Sequence, residues 1–140
     1  METRYITIDE LAEYSGIDLR EALGSDEAAK AFILRREVRL EAFLQARMHQ
    51  NIERRWPEFT DYQKLHYKYA LLEQCIYIYR VGEIDIDPGY EPDRGETADE
   101  RTLIERAVAR TAKNELILAG VWSYKLQKSN PFGEGFGWLL

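Results

Sequence analysis

At 140 residues the chain has the length of one domain, and 45% hydrophobic with 31% charged residues is ordinary globular composition. No apolar run approaches the ~18–20 residues needed to span a bilayer, and METRYITIDE lacks the apolar stretch of a signal peptide. The single cysteine, Cys75, cannot close an internal disulfide, so nothing points to secretion. The net charge of −6 is concentrated in one segment. Residues 83–100 hold eight acids and one base, leaving 18 bases and 17 acids elsewhere. A nearly neutral body with one acidic segment is a poor match for nucleic acid as a gripped ligand.

In chain order, TIDE places Thr7 and Glu10 at the spacing of a capping box, in which hydroxyl and carboxylate satisfy each other's orphan amides. The short helix it opens should run to about Tyr14, with Gly16 as its stop. Ser25 is a good N-cap for a second, long helix, and Asp26 and Glu27 suit its positive end. Apolar residues Ala29, Phe32, Ile33, Leu40, Phe43, Leu44, Met48 and Ile52 make its stripe, interrupted around Arg36. Pro57 disfavours helical geometry at Trp56, so residues 26–55 should form one helix of about 45 Å.

TDYQ repeats the capping box with Thr60 and Gln63. The third helix presents Tyr62, Leu65, Tyr69, Leu72, Ile76 and Tyr79 in steps of three and four, which assigns that row to the core and leaves Lys64 and Lys68 solvated. Gly82 closes it. TADE, Thr97 to Glu100, is a third capping box, opening a helix through Leu103, Ile104, Ala107, Val108, Leu116 and Ile117 to Gly120. Between them IDIDPGYEPDRGE, residues 84–96, has two prolines and two glycines and reads as a loop longer than the usual helix–helix connection. VWSYKL begins as a possible strand, and NPFGEGFGWLL ends the chain as an aromatic, glycine-rich tail.

Chemistry is hard to find along this chain. GEGFG, residues 133–137, lacks the following helix that a phosphate-binding loop requires. His49 and Glu53 are one turn apart, but no third metal ligand accompanies them. Glu37 and Glu41 lie among Arg35, Arg36 and Arg39 and read as a solvated, salt-bridged face. Cys75 sits mid-helix and reads as a small buried thiol. Asp85, Asp87, Glu91 and Asp93 lack the fixed spacing of a calcium loop. The expectation is therefore no catalytic residue, no metal and no cofactor. The tail is different: Phe132, Phe136, Trp138, Leu139 and Leu140 are too much apolar surface to leave in water without consequence, and aromatics are favoured interface anchors.

The order of these parts resembles the head–tail connector (adaptor, or head-completion) proteins of long-tailed bacteriophages. The likeness runs through YITIDELAEYSGI (5–17), the long charged helix (26–55), ALLEQCIYIYRVGE (70–83), a variable loop, and NELILAGVWSYKL (114–126). It implies an all-α protein, a compact bundle of about four helices with one long helix, a long acidic loop and an extended C-terminal arm. The helical adaptor domain would cover residues 1–126, with the acidic loop at 83–98, and the arm residues 127–140.

The family's role is structural. Copies form a ring, usually twelvefold, beneath the portal, extend the DNA channel, and join the head to stopper or tail proteins. The resemblance implies a virion location at the head–tail interface, reached from the host cytoplasm. DNA would pass without specific binding, and no membrane is involved. Asn130, Pro131, Phe132, Phe136, Trp138, Leu139 and Leu140 would then be the portal-binding arm. Tyr67 and Tyr77, off the expected core row, would meet a neighbouring subunit. Glu83, Asp85, Asp87, Glu91, Asp93 and Glu96 form the acidic loop, facing either the lumen, where it would repel phosphates, or basic tail proteins. The alternative is a small helical regulatory module that binds another protein through its aromatic tail.

Overall fold

The computed structural model describes residues 2–82 and 107–123, and these are all-α: six α-helices and one 3-10 turn, with no strand among the described residues. Helix α1, Ile8–Ser15, starts at the expected capping box. The Glu10 amide donates to Thr7 Oγ1 at 3.1 Å, and the Thr7 amide donates to Glu10 Oε1 at 2.9 Å. It ends at Gly16 in the left-handed region, φ 79°. A second short helix, α2, Leu19–Leu23, follows directly, capped by Asp18, and the sequence reading did not anticipate it. Its signal was the Asp18 cap and Gly24 stop, only six residues apart and too close together to show a helical period.

The long helix is shorter than expected. Helix α3 runs Asp26–Met48, about 35 Å at 1.5 Å per residue, and then breaks. His49 turns left-handed (φ 56°), and the Gln50 amide reaches back to the Leu44 carbonyl at 3.1 Å. Asn51 then caps a fresh turn, α4, Ile52–Arg55, its Oδ1 accepting from the Arg54 amide. Asparagine offers the backbone a local side-chain bond in place of helical continuation, which is why the stripe could run on through Ile52 while the helix did not. Pro57 sits in the first turn of the 3-10 segment η1, Trp56–Glu58, where a missing N–H costs nothing.

Helix α5, Asp61–Val81, opens at the Thr60–Gln63 capping box and stops at Gly82, as expected. Its buried row differs from the expected one: Tyr67, Ala70, Leu71, Gln74, Cys75 and Ile78 face the core. Of the expected row, Leu72 alone is buried, while Tyr62 is 54% and Leu65 44% exposed. Helix α5 carries apolar residues at Tyr67, Leu71, Cys75 and Ile78 as well as along the expected row, so two stripes competed. The row with Ala70 and Cys75 prevailed because small side chains let α6, Arg110–Leu118, approach with its own Ala112 fully buried.

The last helix is interrupted. Ala107 is helical, but the chain turns at Val108 and Ala109 before α6 begins. Buried Gln74 spans the turn: its Nε2 donates to the Ala107 carbonyl and its Oε1 accepts from the Ala109 amide, both at 2.9 Å. At the other end of α6, Gln63 Nε2 donates to the Ala119 carbonyl at 3.1 Å. The start of the expected helix at Thr97–Glu100 lies outside the described residues. Val121 and Trp122 form no strand; both are buried, and Trp122 stacks on Phe43 at 5.7 Å and 11°.

Candidate functional site

Glu37 belongs to the buried row of α3, between Ile33 and Leu40, and is 0% exposed. This corrects the expectation of a solvated salt-bridged face at Glu37 and Glu41. The carboxylate is buried because residues 4–6 lie across it. Oε1 accepts the Arg4 amide at 2.7 Å, and Oε2 accepts the amides of Tyr5 at 2.7 Å and Ile6 at 3.0 Å. A buried charge is tolerable when charge-assisted hydrogen bonds replace its water, and three successive amides do so here. Arg36, in the same turn, is also buried, with its guanidinium 5.0 Å from the centre of the Phe32 ring.

One turn on, Glu41 receives the side chains of the same segment. The Tyr5 hydroxyl donates to Glu41 Oε2 at 2.7 Å, and Arg4 Nη1 pairs with Oε1. The second Arg4 amino group lies 3.6 Å from Glu53 on α4. Burial holds the Glu41 carboxyl above its ordinary value, against the opposing pull of Tyr5 and Arg4. Burial, and then the bond to Glu41, push the Tyr5 phenol upward.

The Tyr5 ring enters an aromatic cluster, 4.6 Å from Trp56 and edge-on to Tyr67 at 5.4 Å; Trp56 also meets Tyr67 at 5.8 Å and Phe59 at 5.9 Å. Tyr67 is thus the centre of the core at 0% exposure, and burial raises its phenol well above the ordinary value. The expectation that Tyr67 meets a neighbouring subunit is overturned: its ring is consumed within the chain, because the α5 row rotated. Tyr77 is half-buried against the core.

A second polar–aromatic group joins α1, α5 and α6 at the surface. His66 Nδ1 and Glu115 Oε1 are 2.5 Å apart, and the imidazole lies between Tyr62 at 4.3 Å and Tyr69 at 5.7 Å. The Tyr14 hydroxyl donates to Glu73 at 2.5 Å, and Lys68 Nζ pairs with Glu10 at 3.1 Å. YQKLHYKY therefore places Tyr62 and Leu65 outside and ties Lys68 to α1, whereas the expectation had the reverse.

Cys75 is buried, and burial pushes its thiol up to about 12, far from a nucleophile at neutral pH. His49 serves as the left-handed residue that ends α3, while Glu53 is exposed beside Arg4. Among the described residues, no group of three or more His, Cys, Asp or Glu side chains converges. An open polar groove of about 400 Å³ is lined by His49, Asn51, Arg54, Arg55 and Glu58.

The acidic-loop residues Glu83, Asp85, Asp87, Glu91, Asp93 and Glu96 lie outside the described residues, as do Asn130, Pro131, Phe132, Phe136, Trp138, Leu139 and Leu140. The seat of residues 4–6 left only a faint mark in the sequence pattern. Its one signal was a glutamate at a core position, seven residues before Leu44 and four after Ile33. Comparison with family models, with curated proteins and with solved structures found no match in any of the three.

Proposed function

We propose that this chain is a head–tail connector: a virion structural protein whose copies form a ring beneath the portal, extend the DNA channel, and carry a stopper or tail protein. The observation that carries the reading is the order of parts in the sequence: a short capped helix, a long charged helix, an aromatic helix closed by glycine, an acidic segment, and a last helix ending NELILAG. Those helical parts are α1, α3, α5 and α6. The finer architecture belonging to this reading is a compact bundle of about four helices, with a long acidic loop and an extended arm.

The chemistry of the surface supports a subunit of a larger assembly. Tyr79 and Val81 are large apolar side chains left exposed at the end of α5, and Ile117 and Leu118 are exposed at the end of α6, beside the start of α5. Exposed apolar side chains at both ends of the α5–α6 pair suit contact with neighbouring copies better than water. Asn130, Pro131, Phe132, Phe136, Trp138, Leu139 and Leu140 supply anchors for the portal. The acidic segment, repeated around a ring, repels phosphate, so DNA slides through without being held.

Retention on immobilised portal rings tests the arm. Full-length chain held by the portal, with the chain ending at Gln127 released, is the expected result. Retention of both removes the arm but keeps the connector. Release of both overturns the connector and favours a regulatory protein-interaction module.

A further inference from the structure

Residues 4–6 are held as a bound peptide is held. Their main chain is read by one acceptor, Glu37, through three successive amides at 2.7–3.0 Å. Their side chains go to three seats, the first two of which share Glu41. The Arg4 guanidinium meets Glu41 and Glu53, the Tyr5 ring meets Trp56 and Tyr67 with its hydroxyl on Glu41, and Ile6 is buried in the core. A shared main-chain acceptor with a seat for each consecutive side chain is the general logic of extended-peptide recognition. The chemistry it selects is basic, then aromatic, then aliphatic.

The receivers of the main chain and of the Arg4 and Tyr5 side chains lie on α3, α4, η1 and α5, and the α3 contacts are 31–37 residues away in sequence. Thr7, an extended residue at φ −116° and ψ 166°, is the single joint between this segment and the capped start of α1. A turn at that joint withdraws residues 4–6 without unwinding a helix, and the same contacts are then open to an identical segment arriving from elsewhere.

We propose that the groove between α3, α4, η1 and α5 is a peptide-binding site, filled here by the chain's own residues 4–6, and that it takes the same segment from a second copy of this chain. The second copy is the occupant because Arg4-Tyr5-Ile6 is the segment whose fit to every receiver is on view. Exchanging an identical element reproduces each contact, so the bonds themselves do not favour either arrangement. Local concentration decides. A segment tethered this closely has an effective concentration of order mM, so the self-filled form dominates in dilute solution and exchange becomes comparable at about 1 mM of chain or within an assembly.

The test uses the full-length chain. Equal amounts of uniformly isotope-labelled and unlabelled protein are mixed, and isotope-filtered nuclear Overhauser spectra select contacts between the two. Contacts from Tyr5 and Ile6 of one copy to Trp56 and Tyr67 of the other should appear and strengthen with concentration, reaching about a quarter of the total at about 1 mM, where self-filled and exchanged forms are equal. Their absence at that concentration, with the within-chain contacts intact, overturns the proposal. Glu37→Gln should weaken both sets together. Between-copy contacts that persist undiminished in that variant would reflect association elsewhere and also overturn it.

Discussion

Glu37→Ala is the most informative single change, because it removes one side chain and strands three amides, that of Ile6 buried and those of Arg4 and Tyr5 partly buried. Each of the donors from Arg4, Tyr5 and Ile6 loses a charge-assisted bond at 2.7–3.0 Å. An unsatisfied buried donor costs roughly 1–3 kcal/mol, so with two of the three only partly buried the sum would fall below roughly 3–9 kcal/mol if the segment stayed in place. It does not have to stay. The segment can lift into water, rehydrating its amides and giving up instead the burial of Ile6, about 2 kcal/mol, and the Tyr5 ring contacts, about 1 kcal/mol each. The cheaper route caps the loss, so destabilisation of about 3–4 kcal/mol is expected, together with a detached segment.

Urea unfolding measures the first quantity, with an unchanged m-value as the check that global unfolding is still being read. Amide hydrogen exchange at residues 4–6 measures the second. In the parent chain these amides should open together; in the variant they should exchange near the unprotected rate while α5 stays protected. A loss under about 0.5 kcal/mol, the scale of ordinary surface substitutions, with unaltered exchange would refute the reasoning.

Other consequences follow from the same geometry. Because burial raises the Glu41 pKa in the folded chain, its contribution to stability is complete below the ordinary carboxylate value of about 4.3 and is lost as pH rises through the raised value. Tyr5→Phe removes a donor that favours the ionised form, so carboxyl NMR should show Glu41 titrating at still higher pH, and a downward shift would contradict this. Cys75 should react with thiol reagents at the rate of global opening at pH 8, since its thiol is buried and pushed up to about 12; fast labelling of the folded chain would contradict that. Gln74→Leu should destabilise by about 1–3 kcal/mol through the orphaned Ala109 amide and should raise exchange there first, with unchanged urea stability as the contrary result.

What the sequence made legible was the local chemistry of helix ends. Thr7 with Glu10, Ser25, Thr60 with Gln63, and the glycines at 16 and 82 act within a few residues, so their meaning survives without knowledge of the fold. What was not legible depended on contacts made across the chain. Whether Tyr67 or Tyr69 faces inward depends on how closely α6 approaches Ala70 and Cys75, and no periodicity within α5 decides that. Glu37 looked solvated because its neighbours in sequence are arginines, whereas its partners are amides more than thirty residues away. The break after Met48 rests on a left-handed histidine; histidine is enriched at positive φ, yet so few residues adopt it that one histidine does not mark the turn.

The central claim, that this chain is a connector subunit, is tested most directly by electron microscopy of the full-length protein mixed with the portal ring of its own virus. The account predicts an added ring of density on the portal, coaxial with the DNA channel and sharing its rotational symmetry. Bare portals in the presence of excess folded protein would contradict it.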